Sequence, residues 1–112
     1  MNIRLPGIIA EFLRSKNNYN SEEFVACFTK DAIVQDEGRE ICGTAAIKKW
    51  IEESNEKYHD TVVAQGLNKC GNDTVLSAQV SGDFEGSPVL LNFHFTISEE
   101  KISRLHILLP DG

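Results

Sequence analysis

DAIVQDEGREICGTAAIKKW, residues Asp31–Trp50, is the stretch whose reading decides the fold. Ala32–Glu37 alternates as a short strand, with Val34 and Asp36 on one face and Ile33, Gln35 and Glu37 on the other. Gly38 and Gly43 bracket a loop holding Arg39. Thr44 then caps a helix running from Ala45 to about Tyr58. Its inner stripe is Ile47, Trp50, Ile51, Ser54 and Tyr58, and Lys48, Lys49, Glu52, Glu53 and Glu56 make its solvated side. A carboxylate at a strand end, beside whatever the fold encloses, is where a working acid is expected. Asp36 is that candidate, and its plainer alternative is a turn residue that caps Gly38 or pairs with Arg39.

Upstream, Leu5 to about Asn17 reads as a helix with Leu5, Ile8, Ile9, Phe12 and Leu13 on one stripe. Asn20 or Ser21 caps a second, short helix over Glu22–Phe28. Downstream every signal is β. Strands are expected at Thr61–Lys69, Thr74–Phe84, Ser87–Ser98 and Lys101–Leu109, with turns near Gly71, Gly86 and Glu99. A two-residue loop at Glu85-Gly86 sets Val80 opposite Leu91, Ala78 opposite Phe93 and Leu76 opposite Phe95, apolar against apolar. A three-residue loop, Glu99–Lys101, sets Phe93 opposite Ile107 and Phe95 opposite Leu105. Leu76, Ala78, Val80, Leu91, Phe93, Phe95, Leu105, Ile107 and Leu109 then share one face. Ser77, Gln79, Asn92, His94, Arg104 and His106 share the other.

The order α-α-β-α-β-β-β-β implies an α+β fold, helices gathered on the concave face of a curved, mostly antiparallel sheet. Three helices do not seal a long bent sheet, so a conical hollow is expected between them. A chain of 112 residues is one domain over 1–112. The net charge of −6 disfavours a nucleic-acid backbone or an anionic membrane as partner, since both would repel it. Cys27, Cys42 and Cys70 are odd in number and lack metal-ligand spacing, which with no signal peptide points to free thiols and a cytoplasmic setting. Of the three, Cys42 is the one expected to react. No Gly-rich phosphate loop joins a strand to a helix, so no cofactor is implied.

The element order, together with FTKDAIVQDEG, CGTAAIKKW and SGDFEGSPVLLNFHF, resembles the NTF2-like superfamily, specifically its SnoaL-like and ketosteroid-isomerase-like members. The likeness runs from about Leu5 to Leu108. It implies a cone-shaped α+β fold, an apolar pocket, and a homodimer packed through the outer sheet face. In ketosteroid isomerases a carboxylate at the end of the first strand shuttles the proton, and Asp36 falls there. The oxyanion donors of those enzymes, one a protonated aspartate, match Phe12 and Leu91 here, neither of which can donate. Trp50 falls at an aromatic pocket wall.

These readings leave two classes of function. One is a domain that binds a small apolar molecule among Phe12, Trp50, Leu91, Phe93 and Ile107. The other is an isomerase or cyclase with Asp36 as general base on a small carbonyl compound. The bland reading of those five residues is core packing. His94 and His106 stand opposite each other on the outer face, a poor metal site for want of a third ligand and a better interface feature. Tyr58 and His59 read as the end of the third helix, with the pocket rim as the alternative.

Overall fold

A computed structural model describes residues 4–110. Three helices, α1 (Gly7–Asn17), α2 (Ser21–Val25) and α3 (Thr44–Tyr58), pack on one mixed, open, curved sheet. Its strands are β1 (Phe28–Asp36), β2 (Arg39–Cys42), β3 (Thr61–Cys70), β4 (Asp73–Ser81), β5 (Val89–Ser98) and β6 (Lys101–Leu108). The order across the sheet is β2-β1-β6-β5-β4-β3. Every neighbouring pair is antiparallel except β1 and β6, which run parallel.

α1 buries Ile9, Phe12 and Leu13, as its apolar spacing requires, and also Ser15 and Lys16. At its end the Asn17 amide acts as a strand partner, donating to the Val62 carbonyl at 2.9 Å and accepting from the Val62 N–H at 2.8 Å. Asn20 caps α2 by accepting from the Glu23 N–H. The helix stops at Val25, earlier than its composition suggests. Phe28 is instead drawn into β1, where it pairs with Ile102, and the Ile102 N–H donates to the Cys27 carbonyl at 2.8 Å. Long-range pairing overrides local propensity at this junction.

The segment between Gly38 and Gly43, expected as a loop, is largely the short strand β2. Glu37 and Gly38 both take positive φ (51° and 76°), the geometry of a tight hairpin turn. They fold Arg39 back onto Asp36 and Ile41 onto Val34. Thr44 is the first residue of α3 rather than its cap; Gly43, at φ 87°, holds the cap position without a side-chain bond.

The β4–β5 register is two residues away from the expected one: Ala78 faces Leu91 and Leu76 faces Phe93. The connection, residues 82–88, is longer than a two-residue turn because Phe84 and its neighbours leave the sheet. A shift of two preserves parity, so every side chain keeps its face. At β5–β6, Phe93 faces Ile107 and Phe95 faces Leu105 as expected. A two-residue turn, Glu99-Glu100 at φ 52° and 66°, makes the reversal, and a bulge beside Thr96 restores the pairing. β3 alternates poorly for a related reason: a bulge between Ala64 and Gly66 moves Leu67 onto the face that Val62 and Ala64 occupy.

The inner face is the core. Leu76, Ala78, Phe95 and Leu105 are fully buried, and Phe12 sits at the centre of a ring cluster with Phe24, Phe28, Phe93 and Phe95 at 5.0–6.3 Å. Leu109 is the exception on that face, 63% exposed.

Candidate functional site

Between the helices and the inner face lies a cavity of about 390 Å³, within the usual range for ligand pockets, about 300–1,000 Å³. Alternation places Asp36 on the side of the fully buried Val34, so its carboxylate enters this cavity at the end of β1. Phe12 enters from α1, Trp50 from α3, Leu91 and Phe93 from β5, and Ile107 from β6. All six residues singled out from the sequence therefore line one space. Phe12 and Leu91 contribute no donor to it.

Burial above all, with the charges of Glu37 and Asp60, outweighs the pull of Arg39 and of a donor contact from the Trp50 indole, and the Asp36 pKa is raised to about 6. The carboxylate forms no ion pair among the described residues, so the pairing with Arg39 weighed from the sequence is not made. Raising a carboxylate pKa costs stability: the folded chain holds the proton more tightly than the unfolded one, so stability falls between pH 4 and about 6. A shift of this size corresponds to about 3 kcal/mol when fully shielded, and to about 1 kcal/mol for a partly solvated group. Asp36→Asn is expected to stabilise the protein by about that 1 kcal/mol at pH 7.5 and by nothing at pH 4. Urea midpoints at the two pH values measure it; equal shifts at both would contradict the burial of this carboxylate.

A second polar group went unread in the sequence. Lys16 is 5% exposed, and its ammonium donates to Asn55 Oδ1 (2.9 Å), the Asp60 carbonyl (2.8 Å) and Asp60 Oδ1 (3.0 Å). Desolvation lowers the Lys16 pKa while the Asp60 charge opposes it. Lys16 and Asp60 both line the cavity, as do Ser54, Tyr58 and Phe84. Tyr58, for which the pocket rim was the alternative, ends α3 half-buried against the cavity, with its ring set at 85° to Phe84. His59 is the left-handed C-cap of α3. The signal for Lys16 was its position, four residues after Phe12 on the buried stripe.

Gly82 fixes this end of the cavity. A Cβ there would lie 2.7 Å from both the Asp60 Cβ and the Tyr58 carbonyl, and the Asp83 N–H donates to that same carbonyl at 2.6 Å. Gly82→Ala is expected to destabilise by about 1–3 kcal/mol through overpacking, read as a lowered urea midpoint. An unchanged midpoint would mean that the β4 end shifts freely.

Outside, the mouth at Asp36, Glu37, Leu91 and Ile107 adjoins a second cleft that takes in Gln35, Arg39 and His106. His94 and His106 pair across β5 and β6 with ring centroids 6.4 Å apart. Among the described residues no three His, Cys, Asp or Glu side chains come together as metal ligands. Cys27 is buried, while Cys42 and Cys70 are both exposed, so Cys42 is not alone in accessibility. No helix among the described residues is long and apolar enough to cross a membrane.

No protein-family model matches the chain, and a search of curated proteins finds no match. Solved structures do match. A Sinorhizobium meliloti protein assigned as a polyketide cyclase aligns at a TM-score of 0.88 and 31% identity, over 92% of this chain and 94% of that one. A Catenulispora acidiphila protein with a ketosteroid isomerase-like fold, in complex with trimethylamine, aligns at 0.81 and 16% identity over 93% and 85%. An NTF2-like protein from Cytophaga hutchinsonii aligns at 0.76 and 16% identity over 96% and 92%. The acid at the first strand's end, the helix-roofed curved sheet and these alignments lead to one family: the chain belongs to the NTF2-like superfamily, with its SnoaL-like and ketosteroid-isomerase-like members.

Proposed function

We propose that this domain binds a small, largely apolar molecule in the cavity, with Asp36 as the group that recognises it. The observation that supports this is a carboxylate without an ion pair among the described residues, set in an aromatic and aliphatic space where burial pushes its pKa up to about 6. Carboxyl-carbon NMR tests it. Asp36 is expected to titrate near pH 6, and its signal and the Trp50 fluorescence are expected to move when 2-naphthol is added as a neutral aromatic probe. An Asp36 value near the ordinary 3.9, with neither signal responding, would overturn the reading.

The second reading is an isomerase or cyclase in which Asp36 takes a proton from a carbonyl compound. Retention of the acid and the polyketide cyclase assignment of the Sinorhizobium relative favour it. Against it, each missing oxyanion donor typically costs about 10²–10³ in rate, and Phe12 and Leu91 supply neither. The binding reading is therefore preferred.

The outer face, where His94 and His106 meet, is the surface proposed for a homodimer, and a cytoplasmic setting is proposed with it. A carboxylate at both positions would set like charges directly opposite each other. Gel filtration is expected to show a dimer that His94→Glu with His106→Glu weakens; an elution volume equal to the wild type's would exclude the pair from the interface.

A further inference from the structure

Resting on the reading of the cavity as a ligand site, we propose that its ligand is a lipophilic cation, a compact amine or quaternary ammonium held between aromatic walls and the Asp36 carboxylate. Six rings line the space: Phe12, Phe24, Trp50, Tyr58, Phe84 and Phe93. They come from all three helices, the β4–β5 connection and β5. A ring face is the negative part of an aromatic quadrupole and attracts a cation within about 6 Å. Tyr58 and Phe84, set at 85° to each other, form one corner of the enclosure.

The charges agree with the rings. Asp36 and Asp60 lie in the cavity, Glu37 and Glu85 at its exposed rim, and Lys16 is the one basic residue on the wall. Lys16 is not free to act on a ligand, because its ammonium is held by Asn55 and by both oxygens that Asp60 offers it. Lys16 and Asp60 thus largely satisfy each other, although the Asp60 charge still reaches Asp36, and among the described residues Asp36 makes no ion pair. Arg39, from β2, and His106, from β6, face the neighbouring cleft. Arg39 is exposed, so solvent and salt weaken its pull on Asp36. Negative charge developing on a ligand would meet carboxylates and no donor at Phe12 or Leu91. Positive charge meets aromatic side chains, of which the Tyr58 ring already carries the Lys57 ammonium at 5.1 Å, and a carboxylate without an ion pair among the described residues.

Asp36 also couples binding to pH. Desolvation holds its proton on to about pH 6, and a cation beside it favours the ionised form. Binding is then expected to release a proton near pH 6 and to weaken below it.

The chain carries one tryptophan, so Trp50 fluorescence reports on the cavity directly. Phenyltrimethylammonium and its neutral isostere tert-butylbenzene, titrated into the full chain at pH 7.5, separate charge from shape. The cation is expected to bind at least about tenfold more tightly. In Asp36→Asn the ratio of the two affinities should shrink severalfold, and in the wild type the cation's affinity should fall between pH 7.5 and 5. Equal or tighter binding of the isostere, or an undiminished cation preference in Asp36→Asn, would overturn the proposal and leave the apolar ligand site standing. If neither probe perturbs Trp50, the ligand-site reading falls with it.

Discussion

Asp60→Ala is expected to lower stability by about 3–5 kcal/mol, the usual consequence of leaving one partner of a buried ion pair alone. Lys16 is 5% exposed and its three bonds are with Asn55 and Asp60. Alanine retains the Asp60 carbonyl and the Cβ that packs on Gly82, so the loss belongs to the carboxylate alone. A domain of this size is stable by about 5–15 kcal/mol, and such a change brings it near the threshold. Replacing both partners, as Lys16→Met with Asp60→Leu, is expected to recover much of the loss, because two apolar groups of similar volume need no pairing. Urea denaturation of the two single variants and the double variant completes the cycle. A loss below about 1 kcal/mol in Asp60→Ala, the range of exposed pairs, would show that water reaches Lys16 and that the pair is not buried.

Phe95→Ala is expected to cost a similar amount, about 3–5 kcal/mol, by a different route. Phe95 is fully buried. Its ring meets Phe12 edge-on at 5.0 Å and lies nearly parallel to Phe93 at 6.5 Å. Truncation leaves a void among rings that are held from several elements and cannot collapse into it. At about 4–8 °C per kcal/mol for a small domain, the melting temperature should fall by more than about 12 °C. Phe95 does not line the ligand cavity, so the Asp36 titration should stay near pH 6. A comparable loss from Val63→Ala, whose side chain is 57% exposed, would point to a general fragility instead.

The arrangement of faces was legible in the sequence because period and parity decide it. Asp36 follows Val34 by two residues and therefore turns inward. Trp50 lies on the stripe of Ile47 and Ile51, and matching apolar to apolar sets Phe93 opposite Ile107, a register that the chain reaches by a two-residue turn and a bulge rather than by a three-residue loop. What escaped was whatever the pattern does not encode. β2 has one buried apolar residue, Ile41, too little for an alternation signal. The β4–β5 register slipped because Phe84 resembles a strand residue but leaves the sheet to face Tyr58. Lys16, Asn55 and Asp60 drew no reading, since polar and charged residues are rarely buried. Their partners lie 39–44 residues away in sequence, which no local window covers.

β6, the final strand, is not at an edge. It lies between β1 and β5, parallel to the first and antiparallel to the second. The β1–β2 ribbon and the β3–β5 meander both precede β6 in the chain, and within the sheet they are joined only through it. Closure of so distant a contact is slow, on the order of milliseconds to seconds in sheet-rich domains. Until it happens, the facing edges of β1 and β5 are open to pairing with other chains.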